Sequence, residues 1–98
     1  MGQTETPKET RDFVLRNKYG MHVRPAGLFA KMASRYNADV EVEKDGMVVS
    51  GKSIMALMTL EAISGSLLRV TATGPQAREV LDELEALVAR KFDIPDEQ

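Results

Sequence analysis

The sequence predicts an α+β domain, an open-faced β-sandwich in which a four-stranded antiparallel sheet is covered on one face by three helices. Apolar residues alternate with polar ones in several short segments, which is typical of half-buried strands. Between these segments apolar residues recur at helical spacing. Asp45-Gly46 lies between two strand-like segments and is a strong hairpin signal. Strands and helices around a central hairpin give the order βαββαβα and favour an antiparallel sheet with helices on one side.

The predicted strands are short, and each carries apolar residues on the face that would be buried. Asp45-Gly46 separates the second strand from the third, and Gly65 precedes the fourth. The apolar residues that predict the strands are, in chain order, Phe13 and Leu15, then Val40 and Val42, then Met47, Val48 and Val49, and finally Leu68, Val70 and Ala72.

The first helix is predicted to run for about 12 to 15 residues from the helical spacing of its apolar residues. Pro25 is tolerated only in a first turn, so the N-cap falls near His22 or Val23. Ser53 can cap a short second helix, and Gly74-Pro75 opens the third. The apolar residues of the first helix are Ala26, Phe29, Met32, Ala33 and Tyr36, and those of the third are Ala77, Val80, Leu81, Leu84, Leu87 and Val88.

Length and composition fit one small domain. The chain has 98 residues, of which 43% are hydrophobic, enough for a single modest core. Residues 1–10 are polar and are predicted to form a disordered leader, and order is expected to begin near Arg11. Residues 11–92 are predicted to form the domain, and residues 93–98 a C-terminal tail.

Several classes of function are disfavoured by composition. A net charge of −2 without a basic run disfavours a nucleic-acid partner. With no cysteine and one histidine, thiolate chemistry and Cys-containing or multi-histidine metal sites are excluded, and we expect no metal and no cofactor. No apolar run is long enough to insert into a membrane, and the N-terminus lacks the apolar core of a signal peptide, so we expect a cytoplasmic protein.

The candidate site is His22, which precedes Arg24 and Pro25 at the predicted start of the first helix. A helix N-terminus presents unpaired N–H donors and a partial positive charge, so it favours anions. The same positive field, together with Arg24, favours the uncharged imidazole, which is the form that can attack phosphorus. A phosphoryl group on the ring would then be held by backbone amides and by the guanidinium.

Two motifs make the chain resemble a known family. Residues 20–36, GMHVRPAGLFAKMASRY, are similar to the Gly-Leu-His-x-Arg-Pro-Ala signature of HPr, the histidine-containing phosphocarrier of the bacterial phosphoenolpyruvate:sugar phosphotransferase system. Residues 51–60, GKSIMALMTL, resemble the Lys-Ser-Ile-Met region of the same family. The likeness covers roughly residues 11–92. Tyr19 is one departure, because some members have Asn at that position.

The resemblance implies a phosphoryl carrier rather than an enzyme. His22 would accept a phosphoryl group from phosphorylated enzyme I, on Nδ1 by family precedent. It would donate the group to the A domain of an enzyme II or to a regulatory counterpart. Arg24 would stabilise the phosphoryl charge, and Pro25 would fix the helix start so that backbone amides point at the phosphate.

The resemblance also implies a regulatory serine and a docking face. Ser53 matches the serine that an HPr kinase/phosphorylase modifies in part of the family, although a serine at a helix start is most often only a cap. Met side chains suit a surface that meets several partners in turn. The expected docking residues are Val23 and Gly27 near the histidine and Ile54, Met55 and Met58 in the second helix, whereas Leu57 and Leu60 are expected in the core.

Two other functions stay open at this point. A carrier of the nitrogen-related regulatory phosphotransferase branch would use the same chemistry with a different final acceptor. A regulatory interaction module would instead act through the apolar residues around Ser53. An independent hydrolase is disfavoured, because no second general acid or base accompanies His22. A monomer is expected, since a carrier must expose one face to successive partners.

Overall fold

The computed structural model describes residues 6–95, and it confirms the predicted architecture. Four antiparallel strands form one sheet in the order β1-β4-β2-β3, and three helices cover one face. None of the described helices is long and apolar enough to cross a lipid bilayer. The elements are β1 (Lys8–Val14), α1 (Val23–Ala33), β2 (Asp39–Lys44), β3 (Met47–Ser50), α2 (Ile54–Met58), β4 (Leu67–Thr73) and α3 (Ala77–Ala89), followed by a short 3-10 helix, Lys91–Asp93.

The core lies between the sheet and the helices, because alternate strand residues point to the same side. The two central strands, β4 and β2, supply most of this inner face, and α1 and α3 supply the opposite wall. The predicted apolar stripe of α3 is fully buried. The buried strand residues are Phe13, Val40, Val42, Leu68, Val70 and Ala72, with Leu15 just after β1.

The first strand begins at Lys8, three residues before the expected Arg11. Residues 8–10 pair with Thr71–Thr73 of β4, and the hydroxyls of Thr10 and Thr71 lie 2.8 Å apart. The prediction that residues 1–10 form a disordered leader is therefore wrong for residues 8–10, which belong to β1. Its polar composition is compatible with an edge strand, whose backbone hydrogen bonds do not require apolar side chains. Residues 1–5 of the predicted leader lie outside the described residues.

Two other boundaries differ from the prediction. Helix α1 has 11 residues and ends before Tyr36, which is half-buried against the core in the following loop. At the other end of the chain, Ile94 is half-buried and packs against the core, although residues 93–98 were expected to form a tail. The predicted apolar spacing of the first helix continued to Tyr36, where it marked core contact rather than helical structure.

Arg11 of β1 connects this strand to α3 through ion pairs. Its guanidinium lies 2.7 Å from carboxylate oxygens of Glu9 and Asp82 and 2.9 Å from that of Glu85. The hydrogen bond with Asp82 contributes most to raising the pKa of Arg11 above its ordinary value, and Glu9 and Glu85 raise it further. Arg11 is therefore a structural cation whose charge is satisfied within the fold.

Candidate functional site

His22 is the N-cap residue of α1, as the position of Pro25 predicted. Its backbone is extended, its N–H donates to the carbonyl of Gly20 at 3.0 Å, and its own carbonyl accepts from the N–H of Ala26 at 3.0 Å. The imidazole is half-buried and accepts no hydrogen bond from the helix that it precedes. His22 therefore occupies the N-cap position of α1 without its ring serving as the cap.

The first turn of α1 has unusual donor chemistry. An N-cap side chain ordinarily accepts from the N–H of the second or third helical residue. Pro25 occupies the third helical position and has no N–H. Within residues 6–95, the N–H groups of Val23 and Arg24 meet no hydrogen-bond acceptor. The two residues that follow His22 thus offer two unpaired donors at the start of the helix, which is the arrangement that binds anions.

Arg24 adds an exposed positive charge to the first turn of α1. Its side chain is exposed, and no acidic group in the described part of the chain forms an ion pair with it. A guanidinium presents five donors in a planar fork that matches phosphate oxygens. Arg24 is thus available to an anion held on the ring.

A tight turn precedes His22 and holds it in place. The N–H of Gly20 donates to the carbonyl of Asn17 at 3.2 Å, and Nδ2 of Asn17 donates back to the carbonyl of Gly20 at 2.7 Å. The next N–H, that of Met21, donates to the carbonyl of Ala62 at 2.8 Å. Gly20 has a φ of +68°, and a Cβ there would lie 2.2 Å from that same carbonyl oxygen. Only glycine fits this position.

Two features of this turn were not predicted from the sequence. Asn17 is only 3% exposed, although an Asn before Lys-Tyr-Gly reads as an ordinary surface turn residue. Tyr19 packs edge to face with His22, with ring centroids 6.2 Å apart and an interplanar angle of 81°. Lys18 Nζ lies 5.3 Å from the centroid of the Tyr19 ring. The sequence carried no signal for either contact, because both depend on the path of the turn.

Ser53 caps α2 as its position suggested, with its Oγ accepting from the N–H of Ala56 at 3.1 Å. The side chain is half-buried, and the first turn of α2 is closed by this bond. The N–H of Leu57 completes the turn by donating to the carbonyl of Ser53 at 3.0 Å. The hydroxyl therefore has a structural role irrespective of any modification.

The five expected docking residues lie on two helices that meet. A Cβ on Gly27 of α1 would lie 3.8 Å from Cδ1 of Ile54 in α2, so the two helices are in contact there. Leu57 and Leu60 are buried, whereas Met55 is 79% exposed. We call the set Val23, Gly27, Ile54, Met55 and Met58 the apolar face; all are exposed except Gly27, which is partly buried.

Comparison with known proteins decides the family. A family model described as the PTS HPr component phosphorylation site matches residues 9–90, most of the chain. The chain belongs to the HPr family. The HPr family is a phosphocarrier family with a general role in the phosphotransferase system.

Individual relatives agree with this assignment. The chain is 41% identical over 69 residues to the phosphocarrier protein HPr of Vibrio cholerae. The aligned residues cover 70% of this chain and 81% of the relative. The chain is 43% identical over 74 residues to the HPr-like protein Crh of Bacillus subtilis, covering 76% and 87%. The crystal structure of HPr from Bacillus anthracis has a TM-score of 0.79 at 40% identity, covering 83% of this chain and 96% of that one.

Proposed function

We propose that the protein carries a phosphoryl group on His22, accepting it from phosphorylated enzyme I and donating it to the A domain of an enzyme II or to a regulatory counterpart. The observation that supports this most strongly is the opening of α1. There a half-buried histidine with no capping bond is followed in the chain by two residues with unpaired N–H groups, the second of which carries an unpaired guanidinium. The proposed carrier acts in the cytoplasm and as a monomer.

The proposed transfer is a nucleophilic substitution at phosphorus. A lone pair on a ring nitrogen of His22, Nδ1 by family precedent, attacks the phosphoryl group of the donor. The new N–P bond forms as the bond between phosphorus and the donor breaks, and the donor keeps that electron pair. The N–H groups of Val23 and Arg24 and the Arg24 guanidinium then bind the phosphoryl oxygens by charge-assisted hydrogen bonds. Transfer to the acceptor reverses these steps.

The site binds the phosphoryl group from one side only, which suits a carrier. Val23 is 60% exposed, and Arg24 is exposed as well, so an incoming partner can reach the ring directly. A group enclosed on all sides would be stabilised but slow to leave. With few donors, all near the surface, the group stays transferable.

The apolar face next to His22 is the proposed docking surface for these partners. Met55 projects into solvent beside Ile54 and Met58, and Met side chains adapt to partners of different shape. Met47, which is 50% exposed on β3, provides a matched control of the same residue type. We expect Met55→Ala to raise the KM of phosphorylated enzyme I for this protein, its substrate, about 3- to 10-fold, the usual scale for a contributing interface residue. Met47→Ala should leave this KM unchanged.

A second candidate function is a regulatory interaction module that acts through the apolar face and Ser53. It is favoured by the similarity to Crh, the catabolite repression HPr of Bacillus subtilis. This similarity is as strong as the similarity to HPr of Vibrio cholerae. In this case an HPr kinase/phosphorylase would phosphorylate Ser53. The N-terminus of α2 would tolerate the added charge, but the charge would oppose docking of an acidic partner. The presence of His22 favours the carrier as the primary function.

The carrier proposal is tested by incubating the protein with phosphoenolpyruvate and enzyme I and then measuring its intact mass. We expect one phosphoryl adduct that is lost in acid and that maps to His22 by peptide fragmentation. An acid-stable adduct, or none with several enzymes I, would contradict the proposal. Comparing enzymes I of the sugar and nitrogen-related branches by initial rate then distinguishes the two carrier functions.

A further inference from the structure

The contact between Tyr19 and His22 is not explained by core packing. Tyr19 is 55% exposed, yet its ring stands nearly perpendicular to the imidazole at a centroid distance of 6.2 Å. Aromatic rings favour this edge-to-face geometry because the positive edge of one ring meets the negative face of the other. An exposed tyrosine next to the proposed phosphoryl acceptor therefore makes a directional contact with it.

The position of Tyr19 is set by the turn that carries it. The buried Asn17 side chain donates to the carbonyl of Gly20, and that same carbonyl oxygen accepts the N–H of His22 at 3.0 Å. One oxygen thus ties the turn to the backbone of His22. The N–H of Met21 anchors the following residue to Ala62. Tyr19 consequently has a fixed base from which its ring reaches the imidazole.

The imidazole needs such a contact. Its side chain makes no capping hydrogen bond and is only half-buried, so neither a cap bond nor complete burial fixes its rotamer. Productive attack on phosphorus requires the nitrogen lone pair to point toward the donor. A ring neighbour on a rigid turn limits these rotamers without occupying either nitrogen.

We propose that Tyr19 is a positioning residue for His22, and that its aromatic ring, rather than its hydroxyl, holds the imidazole in the orientation used for transfer. The consequence for transfer rests on the proposed carrier function. The orientation itself does not, so the two can be tested separately. Lys18, whose Nζ lies 5.3 Å from the centroid of the Tyr19 ring, adds a cation–π contact that supports the same arrangement.

Two variants separate the ring from the hydroxyl. Tyr19→Phe retains the ring, whereas Tyr19→Ala removes it, and both leave Asn17 and Gly20 in place. Circular dichroism and backbone amide spectra verify that each variant is folded. The side-chain torsion of His22 is then measured by NMR from three-bond couplings, together with the chemical shifts of the imidazole C–H protons.

We expect Tyr19→Phe to retain the wild-type couplings and Tyr19→Ala to give averaged couplings and shifted imidazole resonances. With enzyme I, Tyr19→Ala should lower kcat/KM about 3- to 10-fold, the loss that corresponds to one aromatic pair, with Tyr19→Phe close to wild type. Unchanged couplings in Tyr19→Ala, or an equal loss of kcat/KM in Tyr19→Phe, would overturn the inference. If the wild-type protein accepts no phosphoryl group, the carrier function fails while the couplings still decide the role of Tyr19.

Discussion

Helices α1 and α2 begin with extended N-cap residues, but their first turns are completed differently. In α2, Oγ of Ser53 accepts the N–H of Ala56, the third helical residue, at 3.1 Å. In α1 the corresponding third residue is Pro25, which has no N–H, and the His22 side chain makes no capping bond. A serine and an alanine close one helix end, whereas a histidine and a proline leave the other open.

This difference assigns separate tasks to two neighbouring helix ends. The capped end of α2 gains stability from its own side chain, which is typically worth about 1 kcal/mol. The uncapped end of α1 forgoes that contribution and keeps its donors available for an anion. The two arginines show the same contrast, since Arg11 is satisfied by three carboxylates and Arg24 by none among residues 6–95.

The largest expected effect is at the open end. His22→Ala should abolish phosphoryl labelling by enzyme I and phosphoenolpyruvate, because no other described residue at the α1 opening offers a nucleophilic ring nitrogen. The fold should persist, since the imidazole caps nothing. Labelling is measured by intact mass and the fold by thermal unfolding. Labelling of the His22→Ala variant at wild-type rate would remove His22 from the mechanism.

Arg24→Ala should reduce kcat/KM for phosphoryl acceptance about 10- to 100-fold, the scale of a lost charge-assisted hydrogen bond. The free energy of unfolding should change by less than about 0.5 kcal/mol, because Arg24 has no partner to lose in the described structure. Arg35→Ala is the matched control, since Arg35 is an exposed arginine just past the other end of α1. Equal losses of activity in both variants would point to a general charge effect rather than to a local one.

Ser53 tests the closed end. Ser53→Ala should lower the free energy of unfolding by about 1 kcal/mol, because the substitution removes the helix cap. Labelling of His22 should continue, because the substitution leaves the reactive side chain in place. Ser53→Asp should retain stability, since Asp also caps helices, but should slow transfer to acidic partners about 10-fold through charge repulsion. Chemical denaturation and transfer assays separate the two effects. A Ser53→Ala variant as stable as wild type would contradict the structural role of the cap.

The smallest expected effect is at the junction of the two helices. Gly27→Ala should raise the free energy of unfolding by about 0.5 to 1 kcal/mol, because alanine favours a helix interior over glycine. The new methyl group would sit 3.8 Å from Cδ1 of Ile54, an ordinary contact distance. Urea denaturation measures the change. A destabilised variant would mean that α1 and α2 approach more closely than this structure shows.

Much of the fold could be predicted from the sequence because its elements are locally encoded. The alternation in β2 and β4, the Asp45-Gly46 turn and the apolar stripe of α3 each specify their structure within a few residues. Boundaries were less predictable, as at Lys8, because edge-strand pairing depends on a partner far along the chain. The period of apolar residues also continued past the end of α1, where Tyr36 contacts the core from a loop.

The site was predictable where spacing alone defines it. Pro25 restricts the helix start, so the place of His22 followed from one residue type, and Ser53 followed from the helix that it precedes. Asn17 and Tyr19 could not be found in this way. Their roles arise from a turn whose carbonyl at Gly20 is shared by Asn17 and His22, and no local pattern encodes such a shared acceptor.

The most direct test of the open helix end is the response of backbone amides to phosphorylation, followed by ¹H–¹⁵N NMR. After phosphorylation of His22 by enzyme I and phosphoenolpyruvate, we expect the amide protons of Val23 and Arg24 to move downfield as they bind phosphoryl oxygens. The amide of Ala56, already bonded to Ser53, should stay in place. Unmoved Val23 and Arg24 amides in the phosphorylated protein would show that the phosphoryl group is not held by the α1 opening.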